Sequence, residues 1–280
     1  MKSGYFSRAM LGLGLMFLYI PIVSLVVYSF NASRLVTVWD AAHSPTLEWY
    51  RELFSNGEIL TAAWLSIRVA FAAATAASVL GTLAGVALAR HGPFRGRTLL
   101  TGMATAPIVM PEVITGLALL LLFVTLERWI GWPQGTGAVA ITLAHVTFCM
   151  AYVTVVVQSR LTGFDVSLEE AAMDLGARPA VVFRRITLPL IAPAIVAGWL
   201  LAFTLSWDDL VISQFVAGPG SSTLPMVIFS KVRLGVSPDV NALATLMVLA
   251  VSIGITAAAL LLRHREKRRE RDVQLAAAAE

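Results

Sequence analysis

The chain has 280 residues, of which 58% are hydrophobic and only 14% charged, against about 25% charged in an ordinary soluble domain. In water such a surface would be covered with apolar patches, so the composition excludes a soluble globule, a disordered tail and, with one cysteine, a disulfide scaffold. The formal net charge is +4, but the basic residues are scattered between apolar runs, a pattern that suits membrane orientation rather than nucleic-acid binding.

A membrane-spanning helix needs about 20 apolar residues. The charges cut this chain into six such pieces, roughly 10–30, 63–89, 99–125, 137–158, 190–213 and 241–262, which predicts an all-α polytopic membrane protein. The first run is too long for a signal-peptide core, and no A-x-A site follows it, so it reads as a retained anchor helix. Residues 1–60 then comprise this anchor and a periplasmic loop, in which Trp49-Tyr50-Arg51-Glu52-Leu53-Phe54 has the pattern of an amphipathic helix lying flat on the outer surface. Residues 61–262 form the transmembrane core with a cytoplasmic loop at 160–189, and residues 263–280 form a basic tail. Leu210 to Ser230 is uncharged as well. Gly218-Pro219-Gly220-Ser221-Ser222 and Pro225 interrupt it, so it reads as the end of the fifth helix plus a loop rather than a seventh span.

The distribution of Lys and Arg orients the chain. Fifteen of the 21 fall at the N-terminus, after the second helix, in the 160–189 loop and in the tail, which places both termini in the cytoplasm. Trp39, Trp49, Trp129 and Trp132 fall on the opposite side, as an aromatic belt would. Cys149 lies inside an apolar run and reads as a small buried hydrophobe; no metal site is assigned.

Acids inside the bilayer are expensive and mark function. Three occur: Glu112 in the third helix, after Pro107 and Pro111, and Asp208 and Asp209 in the fifth. On continuous helices Glu112 stands about 20 Å along its helix and the two aspartates about 27 Å along theirs. No basic residue accompanies them except, at a helix end, Arg68, so an arriving cation is the natural counter-charge. Neighbours on a helix point about 100° apart, so the two aspartates do not both face one cavity, and one of them is expected to be structural. Trp207 offers a cation–π face. His145 in the fourth helix has no acid one turn away and reads as a hydrogen-bonded helix contact.

The 160–189 loop carries two short helical patterns. Ser167-Leu168-Glu169-Glu170 has the form of a capping box, with Ser167 at the N-cap and Glu170 at N3. Leu168, Ala171, Ala172 and Leu175 follow on one face, and Gly176 occupies the position where a left-handed residue ends a helix. Pro179 suits the first turn of a second helix, with Phe183 four residues on and Val182 paired with Ile186. Such an apolar face in a solvent-side loop fits either a hairpin lying on lipid headgroups or a docking helix for a soluble partner.

Glu170-Ala171-Ala172, then Gly176, then after nine residues Ile186-Thr187-Leu188-Pro189, resembles the EAA loop (EAA-x3-G-x9-I-x-LP) of the permease subunits of ABC importers. The resemblance implies a type I ABC importer permease fold in the bacterial inner membrane. Glu170, Ala171, Ala172, Gly176, Phe183, Ile186, Leu188 and Pro189 would then belong to the segment coupled to the ATPase. ATP and magnesium would be held on a separate ATP-binding cassette subunit, present in two copies, since no G-x4-G-K-[ST] occurs here. Ala106-Pro107-Ile108-Val109-Met110-Pro111-Glu112-Val113-Ile114-Thr115-Gly116 and Leu205-Ser206-Trp207-Asp208-Asp209-Leu210-Val211-Ile212-Ser213 resemble the putrescine/spermidine permeases of that group, the putrescine branch above all. Two positions depart from it: the family pattern has Asp at Glu112 and an aliphatic residue at Trp207. The implied partners are a second permease subunit, a periplasmic polyamine-binding protein and membrane lipid, with no nucleic acid and no cofactor on this chain. An importer of another solute, or a proton-coupled carrier using Glu112, stays open at this level.

Overall fold

The computed structural model describes residues 3–34, 38–234, 238–249, 251–253 and 256. The basic tail and the end of the sixth predicted span lie outside the described residues. Every regular element among them is helical, and the chain divides into two compact units, one of residues 58–229 and one of the flanking segments.

In the flanking unit, α1 (Ser3–Tyr28) is a long apolar helix with none of its hydrophobic window buried. A helix apolar all round with no protein cover is written for lipid. It ends in a polar knot. Asn31 donates from Nδ2 to Val38 O (2.7 Å) and accepts at Oδ1 from the Asp40 N–H (2.9 Å), and the Trp49 indole donates to Asn31 O (2.7 Å). The amphipathic segment forms α2 (Glu48–Ser55), but its apolar edge is not spent on a free surface. Trp49 and Leu53 are buried, and the Tyr50 hydroxyl lies 2.6 Å from Ser29 Oγ. The Trp49 N–H needs a partner once desolvated, and the α1 terminus supplies one.

The central unit starts with α3 (Gly57–Arg90). Its buried stripe is made of small residues, Ala70, Ala73, Ala74, Ala77, Ser78, Gly81, Thr82 and Gly85. Small residues at four-residue spacing let two membrane helices approach closely. A Cβ on Gly81 would lie 2.7 Å from Val153 Cβ, so only glycine admits α6 (Ala138–Thr162) there. Arg97 donates to the carbonyls of Leu88, His91 and Gly92 and so satisfies the end of α3.

The third predicted span is two helices, α4 (Arg97–Val109) and α5 (Glu112–Ile130). The prolines explain the break. Pro111 disfavours helical backbone at Met110, which is extended at ψ 138°, and Pro107 removes an N–H one turn earlier. Two short helices, α7 (Ser167–Asp174) and α8 (Pro179–Val182), follow α6. A π-helical turn, Phe183–Thr187, then leads into α9 (Leu188–Trp207). The fifth predicted span also stops early: α9 ends at Trp207, and α10 (Val211–Val216) follows after a break at 208–210. Gly218 to Ser221 is a turn, as the Gly/Pro cluster predicts. It closes through the Ser221 N–H donating to Gly218 O (3.0 Å). Next comes α11 (Leu224–Leu234), whose first N–H donates to Ser66 Oγ (2.8 Å). The core is centred on α6, with Ile141, Ala144, Cys149, Val153, Val157 and Leu161 fully buried against α9 and α10.

Among the described residues, five helices are long and apolar enough to cross a membrane: Tyr5–Tyr28, Gly57–Arg90, Glu112–Ile130, Ala138–Thr162 and Pro179–Trp207. A shorter apolar helix, α12 (Pro238–Ile253), stands where the sixth is predicted.

Candidate functional site

The loop between α6 and α9 is a helical hairpin. The capping box does not form. Ser167 is the first residue of α7, and Asp165 accepts its N–H at Oδ1 (3.0 Å). That bond holds the exposed Asp165 carboxyl below the usual carboxylate range. At the other end Gly176 adopts φ +86°. Its N–H donates to Met173 O (2.8 Å) and the Ala177 N–H to Ala172 O (3.0 Å), the paired bonds of a Schellman stop. Pro179 opens α8 at its first turn, where a missing N–H costs nothing.

One face of α7 is apolar and uncovered: Leu168 is 50% exposed and Leu175 90%. Glu170, Ala171 and Gly176 are also exposed, and Ala172 is half-buried. Phe183, Ile186 and Leu188 are half-buried along the second limb, while Pro189 is exposed. Pro189 has no N–H and its ring crowds the carbonyl four residues back. The π turn widens the helix at that place, with the Leu188 N–H donating to Phe183 O. As a result α8, the π turn and α9 run as one continuous helix from Pro179 to Trp207.

Sequence reading missed three residues here. Glu169, one before the EAA glutamate, is buried. Its Oε1 accepts from Thr187 Oγ1 (2.7 Å) and its Oε2 lies 3.1 Å from Arg90 Nε. No local pattern separates Glu169 from its exposed neighbour Glu170, because the partners come from α3 and the π turn.

The second cluster gathers at the two helix breaks. Glu112 is the first residue of α5, exposed, at the positive end of the helix dipole. Asp208 is exposed at the end of α9. A Cβ on Gly116 would touch Phe215 and the Ile212 backbone, so α5 and α10 pack where Glu112 and Asp208 each stand one turn before a contact residue. Among the described residues neither acid has a salt-bridge partner, and none joins Arg68.

Asp209 is different. It is buried and caps α10, accepting the Ile212 N–H at Oδ1 (3.2 Å) and, at Oδ2, the Ser213 N–H (2.7 Å) and hydroxyl (2.8 Å). His145 is the hydrogen-bonded helix contact it reads as, with partners from beyond its own helix: its Nε2 lies 3.1 Å from Asp209 Oδ2, and its Nδ1 lies 2.6 Å from Ser206 Oγ. Ser206, Asp209 and Ser213 stand three and four residues apart and all three meet His145 of α6. An acceptor-only carboxylate assigns the proton to Nε2 and leaves Nδ1 to accept from Ser206. Trp207 is the last of a stack on α9. Phe203 lies 6.1 Å from it at 14°, and Trp199 lies 5.4 Å from Phe203 at 17°. Their four-residue spacing is legible in the sequence, although only Trp207 is singled out there.

The family profile described as "Binding-protein-dependent transport system inner membrane component" matches residues 77–271. The chain belongs to this family. It is therefore a multi-pass inner-membrane permease component. The putrescine transport system permease protein PotI of Escherichia coli K12 is 58% identical over 94% of this chain and 93% of its own. The spermidine/putrescine permease protein PotC of the same organism is 42% identical over 92% and 94%. In fold the permease resembles a chain of a bacterial ABC transporter involved in import of the acidic polysaccharide alginate, with TM-score 0.71 and 17% identity over 91% of this chain and 94% of that one.

Proposed function

We propose that this chain is one permease subunit of an ATP-binding-cassette importer that carries a polyamine, putrescine first, across the bacterial inner membrane. The observation that carries this reading is the 58% identity to PotI over nearly the full length of both chains. The site supports it chemically. Two exposed carboxylates, Glu112 and Asp208, lie near two helix breaks with no salt-bridge partner among the described residues, an arrangement suited to a cation and unfavourable to an anion. Irregular backbone at membrane depth is tolerated where it lines a cavity or is buried in protein.

The apolar face of α7, Leu175 above all, is the surface on which an ATP-binding cassette subunit would dock, and ATP with magnesium belongs to that subunit. Two such subunits, a second permease and a periplasmic polyamine-binding protein complete the importer. On this reading six helices span the membrane and both termini face the cytoplasm.

The test is uptake of a radiolabelled amine panel by the complete reconstituted importer in proteoliposomes. ATP and the binding protein should both be required, and putrescine should outcompete neutral and anionic solutes. Uptake that follows a proton gradient and ignores ATP would overturn the proposal.

A further inference from the structure

A buried carboxylate on α7 reaches side chains of two other elements. Glu169 joins three segments far apart in sequence: α7 itself, the last residue of α3 through Arg90, and the π turn through Thr187. The Arg90 guanidinium also lies over the Phe164 ring, 5.6 Å from its centre, so the α6–α7 linker is part of the same knot. Around this knot the packing is loose. A cavity of about 380 Å³ separates the end of α3, at Leu83 and Val86, from Met173, Val182 and Phe183 of the hairpin. The Arg90–Glu169–Thr187 group is a polar contact across it: Arg90 and Glu169 pair by charge at 3.1 Å, and Thr187 donates a hydrogen bond to Glu169 (2.7 Å), whose direction apolar contacts lack. Arg90 Nε and Nη2 are both buried without a hydrogen-bond acceptor among the described residues, so Arg90 is held to Glu169 by charge and is not fully satisfied in this conformation. Thr187 lies in the continuous helix that runs to Trp207, directly before the Asp208 break.

We propose that Arg90, Glu169 and Thr187 form a strut that positions the hairpin so that a displacement of α7 moves α3 and α9 together. This rests on the reading of α7 as the ATPase-docking segment. The three are positioning residues; none is placed on the path of the solute.

The experiment uses the complete importer in proteoliposomes and reads two rates, ATP hydrolysis stimulated by the binding protein and amine transported per ATP. The wild-type arm tests the docking reading, since hydrolysis that does not respond to binding protein would sink that reading and not the strut. In the variant arm, Glu169→Gln should keep hydrolysis but lower transport per ATP by between roughly twofold and thirtyfold, the range expected for residues along a coupling route. Thr187→Val should show a smaller loss in the same direction. The paired exchange Arg90→Glu with Glu169→Arg should regain most of the wild-type ratio. An unchanged ratio in Glu169→Gln overturns the strut. If Glu169→Gln does not accumulate in the membrane, the paired exchange decides: recovery of both accumulation and ratio supports the strut, and failure to recover the ratio overturns it.

Discussion

Adjacent aspartates in this permease have separate roles because one is buried and satisfied and the other is not. Asp209 accepts two backbone N–H groups and the Ser213 hydroxyl and lies against His145, whereas Asp208 projects from the same break into the open. Losing charge-assisted bonds at a buried site costs about 1–3 kcal/mol. Asp209→Asn should therefore lower the melting temperature of the detergent-purified subunit. Asp208→Asn and Glu112→Gln should leave it unchanged while weakening amine uptake, Glu112→Gln the more. A melting loss at Asp208, or none at Asp209, would reverse these assignments. Gly176 makes a third prediction at this scale. Its φ of +86° is strained for a β-branched residue by about 1–3 kcal/mol, although no neighbour lies within 4 Å of a Cβ there. Gly176→Val should leave the protein in the membrane and reduce transport. Normal transport in that variant would remove the hairpin from the coupling route.

Helices in this chain stop where backbone chemistry makes them stop, and they pack where side chains are small. The close approach of α3 to α6 at Gly81 leaves no room for a methyl group. Gly81→Ala should cost about 1–3 kcal/mol by overpacking, and adding Val153→Ala should recover part of it; additive losses in thermal unfolding would contradict that contact. The start of α7 responds to pH. The folded carboxyl of Asp165 is held below its unfolded value of about 3.9, so its support of α7 is complete above that value and disappears as pH falls through the lower folded one. Amide protection factors in α7, taken relative to the intrinsic exchange rate at each pH, should fall on acidification through this window, and Asp165→Asn should remove that dependence.

On the scale of the whole molecule, charge placement makes a topological prediction. Fifteen of 21 basic residues fall on one side of the six predicted helices, so reporters fused to either terminus should respond as cytoplasmic. A reporter that places the two termini on opposite sides would require an odd number of crossings, five or seven, and would overturn the six-span reading. The segment where a seventh crossing would lie is occupied by the six-residue α10 and the Gly218–Ser221 turn, which have no room for one.

Much of this architecture was written locally. Apolar runs determined where helices lie, because a bilayer rewards about 20 apolar residues regardless of what surrounds them. The fixed residues of the EAA pattern and the turn at Gly176 were equally legible, since a left-handed C′ position depends on a few consecutive residues. The sequence also contains Pro107 and Pro111, which by their chemistry loosen the third predicted span and in the structure split it into two helices. Only the tertiary structure decided which acids are free. Glu169 and Glu170, like Asp208 and Asp209, are identical neighbours to any local rule. Arg90, Thr187, His145 and Ser213 distinguish them, and folding brings these partners within 3.1 Å. A carboxylate's role depends on what desolvates and pairs it, and that is a property of packing rather than of residue type.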